Sequence, residues 1–200
     1  MQGGAAGRGR RRRRSSGGNV LSPVSAGEQA LSRCRRAATP AAVSELAKVV
    51  IYSDGACVGN PGRGGYGTVL LAGKHRKELS AGYRRTTNNR MEMLGAIVGL
   101  EALKRPCAIT LWSDSQYLIH ALSKGWLASW QKKGWRTADK KPVKNRDLWE
   151  RLLLAIDGHQ VDWRWVRGHN GDVENERCDA LAVAAANAGN LLEDVGYAPD

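Results

Sequence analysis

No stretch of the sequence approaches the roughly 18 to 20 consecutive apolar residues that a membrane-spanning helix needs, so a soluble chain with no membrane partner is expected. Cysteine is scarce. Cys34, Cys57, Cys107 and Cys178 lie far apart, without a CxxC pair for zinc and without the density of a disulfide scaffold. A reducing, cytoplasmic setting is the expectation. Acids are also in short supply, 19 Asp plus Glu against 31 Lys plus Arg, for a formal net charge of +12. What is present is enough to fold. The chain has 200 residues, 42% of them hydrophobic and 25% charged, which suits one domain or one domain with a tail and is too apolar for a wholly disordered protein.

Most of the excess charge is local. Residues 1–44 hold nine arginines and a single acid, Glu28, and Gly and Arg fill twelve of the first eighteen positions without a helical or strand period. A disordered tail over 1–44 and a folded domain over 45–200 are expected. Such a tail fits a phosphate-binding arm, an organelle transit peptide or an upstream extension with no role, and composition leaves all three open. A second basic segment, 124–146, carries eight Lys and Arg against Asp139 alone, interleaved with Trp126, Trp130 and Trp135. Cations alternating with aromatics suit a polyanion that also offers flat sugar and base surfaces. A solvated helical hairpin is the plainer alternative.

The elements read as a mixed α/β pattern. Val49–Tyr52 is a β-branched and aromatic run stopping at Ser53-Asp54-Gly55, so it should deliver a carboxylate to a strand end. Gly62, Gly64 and Gly67 match GxGxxG, but Thr68–Leu71 beyond them reads as a strand, not the helix that would hold a pyrophosphate, and a dinucleotide site is rejected. Lys77–Tyr83 should be a third strand after a linker at Gly73–Arg76. A capped helix then runs from Thr86–Asn89 towards Pro106. Ala108–Trp112 is a fourth strand running into Ser113-Asp114-Ser115, with a second helix after it. Another helix lies between Asn145 and Gly158, a fifth strand at Val161–Trp165, and a closing helix from about Glu174 to Asn187 carries Asp179. Three meandering strands followed by helical crossovers predict a five-stranded mixed sheet, antiparallel then parallel, flanked by helices.

If the first and fourth strands are parallel neighbours, Asp54 and Asp114 meet at the edge where ligands gather on such sheets, and Glu92, in the first turn of the long helix, reaches the same edge. Crowded carboxylates raise a pKa or call for a cation, and their oxygens suit hard ions such as Mg²⁺ or Mn²⁺. Two ions about 3.5 to 4 Å apart serve phosphodiester hydrolysis. Singly, each residue has a duller reading: Asp54 and Asp114 as turn residues, Glu92 closing a capping box with Asn89, Asp179 a surface acid, His169 an exposed loop histidine. Their convergence is what distinguishes the two.

From about Val49 to Tyr197 the sequence closely resembles the type 1 ribonuclease H family in its bacterial form. The resemblance is carried by YSDGACVGNPGRGGYG, TTNNRMEMLGAIVGLEALK, SDSQY, GWRTADKKPVKNRDLW and WVRGHNGDVENERCDALA, in that order. It implies that Asp54, Glu92, Asp114 and Asp179 bind two Mg²⁺ ions, with His169 a mobile proton acceptor or product-release group. It implies cleavage of the RNA strand of an RNA/DNA hybrid to 5′-phosphate and 3′-hydroxyl ends, and makes segment 124–146, with Trp126, Lys132 and Lys133, a substrate-binding protrusion. Thr87 and Asn60 would hold a DNA-strand phosphate while Trp126 stacks on its sugar. Recognition of 2′-hydroxyls needs short polar side chains near the metals, for which Asn60, Asn88, Asn89 and Gln116 are candidates. Residues before Val49 have no counterpart in the short bacterial form, and Asp172-Val173 stands where the family often has His-Pro after the histidine loop.

The leading expectation is therefore a Mg²⁺-dependent, monomeric endonuclease acting on hybrids. A non-catalytic hybrid-binding protein of the same fold is the alternative. A transposition or junction-cleaving enzyme is a third reading, weakened because such enzymes usually carry additional DNA-binding domains that these residues do not accommodate.

Overall fold

A computed structural model describes residues 46–198. The expected tail over 1–44 and Cys34 lie outside the described residues. Strand β1 (Ala47–Val58) is followed by β2 (Gly62–Ala72) and β3 (His75–Thr86), then helix α1 (Asn88–Glu101), strand β4 (Cys107–Ser113), helices α2 (Gln116–Ser123), α3 (Trp126–Lys132) and α4 (Arg146–Ala155), strand β5 (Gln160–Trp165) and helix α5 (Val173–Ala186). The sheet order is β3-β2-β1-β4-β5. β1, β2 and β3 pair antiparallel, while β4 runs parallel to β1 and β5 parallel to β4, as the sequence predicts.

The pleat of β2 shows how the two faces are used. Thr68 donates its hydroxyl to the Gly95 carbonyl of α1 at 2.7 Å, and its neighbours of opposite parity, Gly65 and Gly67, lie against α5. α1 is thus packed on one face and α5 on the other. α1 is buried nearly all round, with Met91, Met93, Leu94, Ala96, Ile97 and Leu100 at 2% exposure or less. Trp149 of α4 is wholly buried behind it. Arg90 ties the helices to the chain end. Its buried guanidinium donates to both Asp147 oxygens at 2.9 and 2.7 Å and to Asp194 at 2.7 and 2.8 Å. No helix of the described residues is long and apolar enough to cross a membrane.

Several boundaries differ from the expectation. β1 continues past Asp54 to Val58 because its hairpin with β2 outruns the parallel ladder, which stops where Ser53 pairs with Ser113. β3 is longer than Lys77–Tyr83, and the turn before it shrinks to Gly73-Lys74. α1 ends at Glu101, well before Pro106. The three tryptophans of 124–146 are not equivalent. Trp126 is 40% exposed, whereas Trp130 and Trp135 are half-buried against the core, Trp130 with its ring 5.6 Å from that of Trp149. Two of the three serve packing, which corrects the reading of all three as a nucleic-acid face.

Candidate active site

The register of the parallel ladder builds the site. Since Ser53 is paired with Ser113, Asp54 and Asp114 are the next residues on neighbouring strands. Asp54 is buried, and its Oδ1 accepts the Gly55 N–H at 2.7 Å. Burial, followed by the charge of Asp114, pushes its carboxyl up to about 8, the Gly55 hydrogen bond opposing and Asp179 and Glu92 adding to the rise. Asp54 is thus close enough to the other three acids for each to act on its ionisation.

Glu92 enters from α1. It lies at the fifth residue of the helix, not in its first turn, and forms no capping box; the N-cap is Thr87, whose side chain makes no capping bond. Instead Asn88 Nδ2 donates to Glu92 Oε1 at 2.7 Å, and Ser115 donates its hydroxyl to Oε2. Burial raises the Glu92 carboxyl, the Ser115 hydrogen bond partly offsetting it. Ser115 also caps α2, accepting from Leu118 N. Its role was missed from sequence, although its place directly after Asp114 was the available signal.

Asp114 follows β4. Its Oδ1 is buried and has no hydrogen-bond partner among the described residues. Its main-chain carbonyl accepts the Trp165 indole N–H at 3.1 Å. Asp179 sits half-buried on α5, one residue after the buried Cys178. His169 is exposed with φ 51°, a left-handed conformation uncommon outside glycine. Its loop is tied at both ends. Gly168 lies against the Asp114 carboxylate, and the Gly171 N–H donates to Glu176 Oε1 at 3.0 Å. Asp172 begins α5, accepting from the N–H groups of Glu174 and Asn175 at 3.1 and 3.0 Å. In place of His-Pro this chain has a side-chain cap.

The four carboxylates share one edge but do not close on a point. Among the described residues, no three Asp, Glu, His or Cys side chains are placed to hold a metal ion as they stand. Both oxygens of Glu92 are turned to Asn88 and Ser115. The donor set nonetheless fits a hard divalent cation: all carboxylate oxygen, with Asp114 Oδ1 unsatisfied and the Asp54 carboxyl pushed up by burial and by its acidic neighbours. Each Glu92 oxygen accepts a single hydrogen bond and keeps a lone pair for a cation.

The expected substrate residues separate into two groups. Asn60 Oδ1 accepts from the Asn88 N–H at 3.2 Å, and Asn60, Thr87 and Asn89 line a cleft of about 760 Å³ whose other wall includes Lys141, Lys144 and Arg146. Gln116 is exposed at the start of α2. Trp126 opens α3, with Lys124 Nζ 5.6 Å from its ring centre and His120 edge-on at 5.9 Å. Lys132 and Lys133 are exposed at its far end.

These features agree with what the chain is similar to. The RNase H family model matches residues 46–187. A ribonuclease H of Aeromonas hydrophila is 54% identical over 154 residues, covering 77% of this chain and 99% of that protein. One from Erwinia tasmaniensis is 58% identical over 153 residues, covering 76% and 97%. The crystal structure of LC9-RNase H1, a type 1 RNase H with the type 2 active-site motif, superposes with a TM-score of 0.64 at 29% identity, covering 76% of this chain and 79% of the other. Matched by the family model over residues 46–187 and by relatives over nearly their full length, the chain belongs to the ribonuclease H family.

Proposed function

We propose that this ribonuclease H hydrolyses the RNA strand of RNA/DNA hybrids at the edge where Asp54 and Asp114 adjoin, with Glu92 and Asp179 completing the set that holds divalent cations, Mg²⁺ or Mn²⁺. The observation that carries this reading is the in-register placement of Asp54 beside Asp114, with Glu92 joined to the same edge through the hydroxyl of Ser115, the residue after Asp114. Two cations held there would supply charge neutralisation at the scissile phosphate and make water a competent nucleophile. The protein's own groups do the rest. The Gly55 N–H fixes one oxygen of Asp54, Asn88 and Ser115 hold Glu92, and the clip from Trp165 fixes the backbone that carries Asp114.

The bond broken is that between phosphorus and the 3′ oxygen. Water adds to phosphorus and loses a proton, while the departing oxygen gains one, leaving 5′-phosphate and 3′-hydroxyl ends. His169, one residue after the Gly168 that lies against Asp114, would take and return that proton. Asn60, Asn88, Asn89 and Gln116 offer the short polar groups that distinguish a 2′-hydroxyl, and Trp126, Lys132 and Lys133 a stacking and phosphate surface for the DNA strand.

One incubation tests the reading. Purified protein with end-labelled RNA/DNA hybrid, duplex RNA and duplex DNA, each with Mg²⁺ and with chelator, should cut RNA in the hybrid alone and only with Mg²⁺. Hybrid binding without cutting supports the non-catalytic alternative.

A further inference from the structure

The β5 side of the site carries an aromatic and a cation that the proposed reaction leaves unused. Trp165 closes β5, is 46% exposed, and is held by its indole N–H on the Asp114 carbonyl at 3.1 Å. The next residue, Val166, donates its N–H to the Ser113 carbonyl at 3.1 Å. Two consecutive residues thus clip the end of β4 from the β5 side. Arg167 follows, exposed, with no hydrogen-bond or ion-pair partner among the described residues. Arg164 differs, being paired with Asp162 at 2.8 Å. Gly168, against the Asp114 carboxylate, and His169 come next.

A half-exposed indole anchored through its N–H has a fixed ring face, and a fixed face needs little ordering to receive a flat partner. An unpaired guanidinium two residues away adds an anion site. A sugar–phosphate backbone offers both partners in alternation, whereas a protein surface would more often call for a wider apolar patch. Position agrees. The strand being cut continues on both sides of the scissile phosphate. The cleft at Asn60, Thr87 and Asn89 lies at the β1–β2 turn and the start of α1, and the surface at Trp126 at the start of α3, none of them on β5 or the loop that follows it.

We propose that Trp165 and Arg167 form a second contact for the hybrid, on the β5 side of the carboxylates, with the Trp165 ring against a sugar and Arg167 on a phosphate. The proposal rests on the hybrid-cleaving reading and extends it. Because the same indole holds Asp114, this contact couples substrate grip to the position of a metal-binding acid. Trp165 is on that account both a substrate contact and a positioning residue.

Binding of a fluorescent hybrid by the full chain, followed by anisotropy in chelator over a range of salt, measures the contact, and steady-state cleavage in Mg²⁺ separates KM from kcat. Arg167→Ala should weaken binding several-fold and make the dependence of log affinity on log salt shallower by about 0.9, the effect of one phosphate contact. Trp165→Ala should weaken binding by about five- to tenfold, the low end for an aromatic nucleic-acid contact. Trp165→Phe, which keeps a ring but loses the N–H, should hold KM near wild type and lower kcat. Wild-type affinity and salt slope in both alanine variants overturn the proposal while leaving cleavage by the wild type intact. If Trp165→Ala does not fold, Arg167→Ala and Arg167→Gln, on an exposed side chain, decide alone. A wild-type chain that neither binds nor cuts hybrid overturns the functional reading and this contact with it.

Discussion

Asp54 on β1 and Gly67 on β2 are paired across the antiparallel hairpin, and α5 presses onto the sheet at Gly67. A Cβ there would lie 2.8 Å from Leu181 Cβ and 2.9 Å from the Cys178 carbonyl carbon. Asp179 is the residue after Cys178. On the other face, a Cβ at Gly55 would lie 2.6 Å from the Met91 carbonyl carbon, one residue before Glu92. One glycine beside Asp54 in the chain and one across from it therefore set how near the two helices bring their acids.

Gly67→Ala is expected to lower both stability and turnover. The clash is largely with the α5 backbone, which cannot rotate away, so the helix must shift, at a cost of about 1–3 kcal/mol. Gly189→Ala, where nothing lies within 4 Å, is the control and should be near neutral. Denaturant unfolding and hybrid cleavage on both variants check this. Wild-type values for Gly67→Ala would mean that α5 does not depend on that close approach.

The metal-free protein should lose stability as pH rises from about 4 to about 8. The folded Asp54 carboxyl is pushed up to about 8 from an ordinary 3.8, so within that window the folded chain holds a proton that the unfolded chain has released, and raising the pH favours unfolding. Cations bound by the carboxylates remove the penalty. Mg²⁺ should therefore raise Tm more at pH 8 than at pH 5, a difference that melts in chelator and in Mg²⁺ will show. Equal Mg²⁺ shifts at both values would place the ion elsewhere.

Replacing Trp126, Lys132 and Lys133 together with alanine should weaken hybrid binding, and the loss of two phosphate contacts should flatten the salt slope by about 1.8. Melting temperature should change little, since all three are exposed. An unchanged slope, from anisotropy titrations at several salt concentrations, removes α3 from the substrate surface.

His169→Ala should reduce kcat by about 10²- to 10⁴-fold, the range for a positioned acid–base group, with KM nearly unchanged. The loop should survive, because its ties run through Gly168 and through the Gly171 N–H to Glu176 and not through the imidazole. Unaltered kcat in saturating hybrid would end the proton-transfer role.

Much of this was legible in the sequence because strand order follows from patterning: hairpins first, crossovers after, and hence Asp54 beside Asp114. What escaped was set by tertiary contact. β1 runs on past Asp54 because β2 is long enough to pair with it, which no property of Val49–Tyr52 reveals. Glu92 reaches the acidic edge as expected, but its partners there, Asn88 and Ser115, are set by how α1 lies against the end of β4 and not by the spacing of the acids. Trp130 and Trp135 look like Trp126 in a basic stretch, and only the packing of Trp149 beneath shows which ring is left outside. Arg90, one charged residue in the polar start of α1, gave no hint that Asp147 and Asp194 would meet it from distant parts of the chain.

Whether the four acids act as one cation site is measured most directly by calorimetric titration of Mn²⁺ into the wild-type protein and into Asp54→Asn, Glu92→Gln, Asp114→Asn and Asp179→Asn, each confirmed folded by circular dichroism. Loss of a shared ligand predicts at least tenfold weaker binding in Asp54→Asn and Asp114→Asn, weaker binding in the other two, and loss of hybrid cleavage in Asp114→Asn with hybrid affinity retained. Wild-type Mn²⁺ affinity in all four variants, or full cleavage by Asp114→Asn, would contradict it.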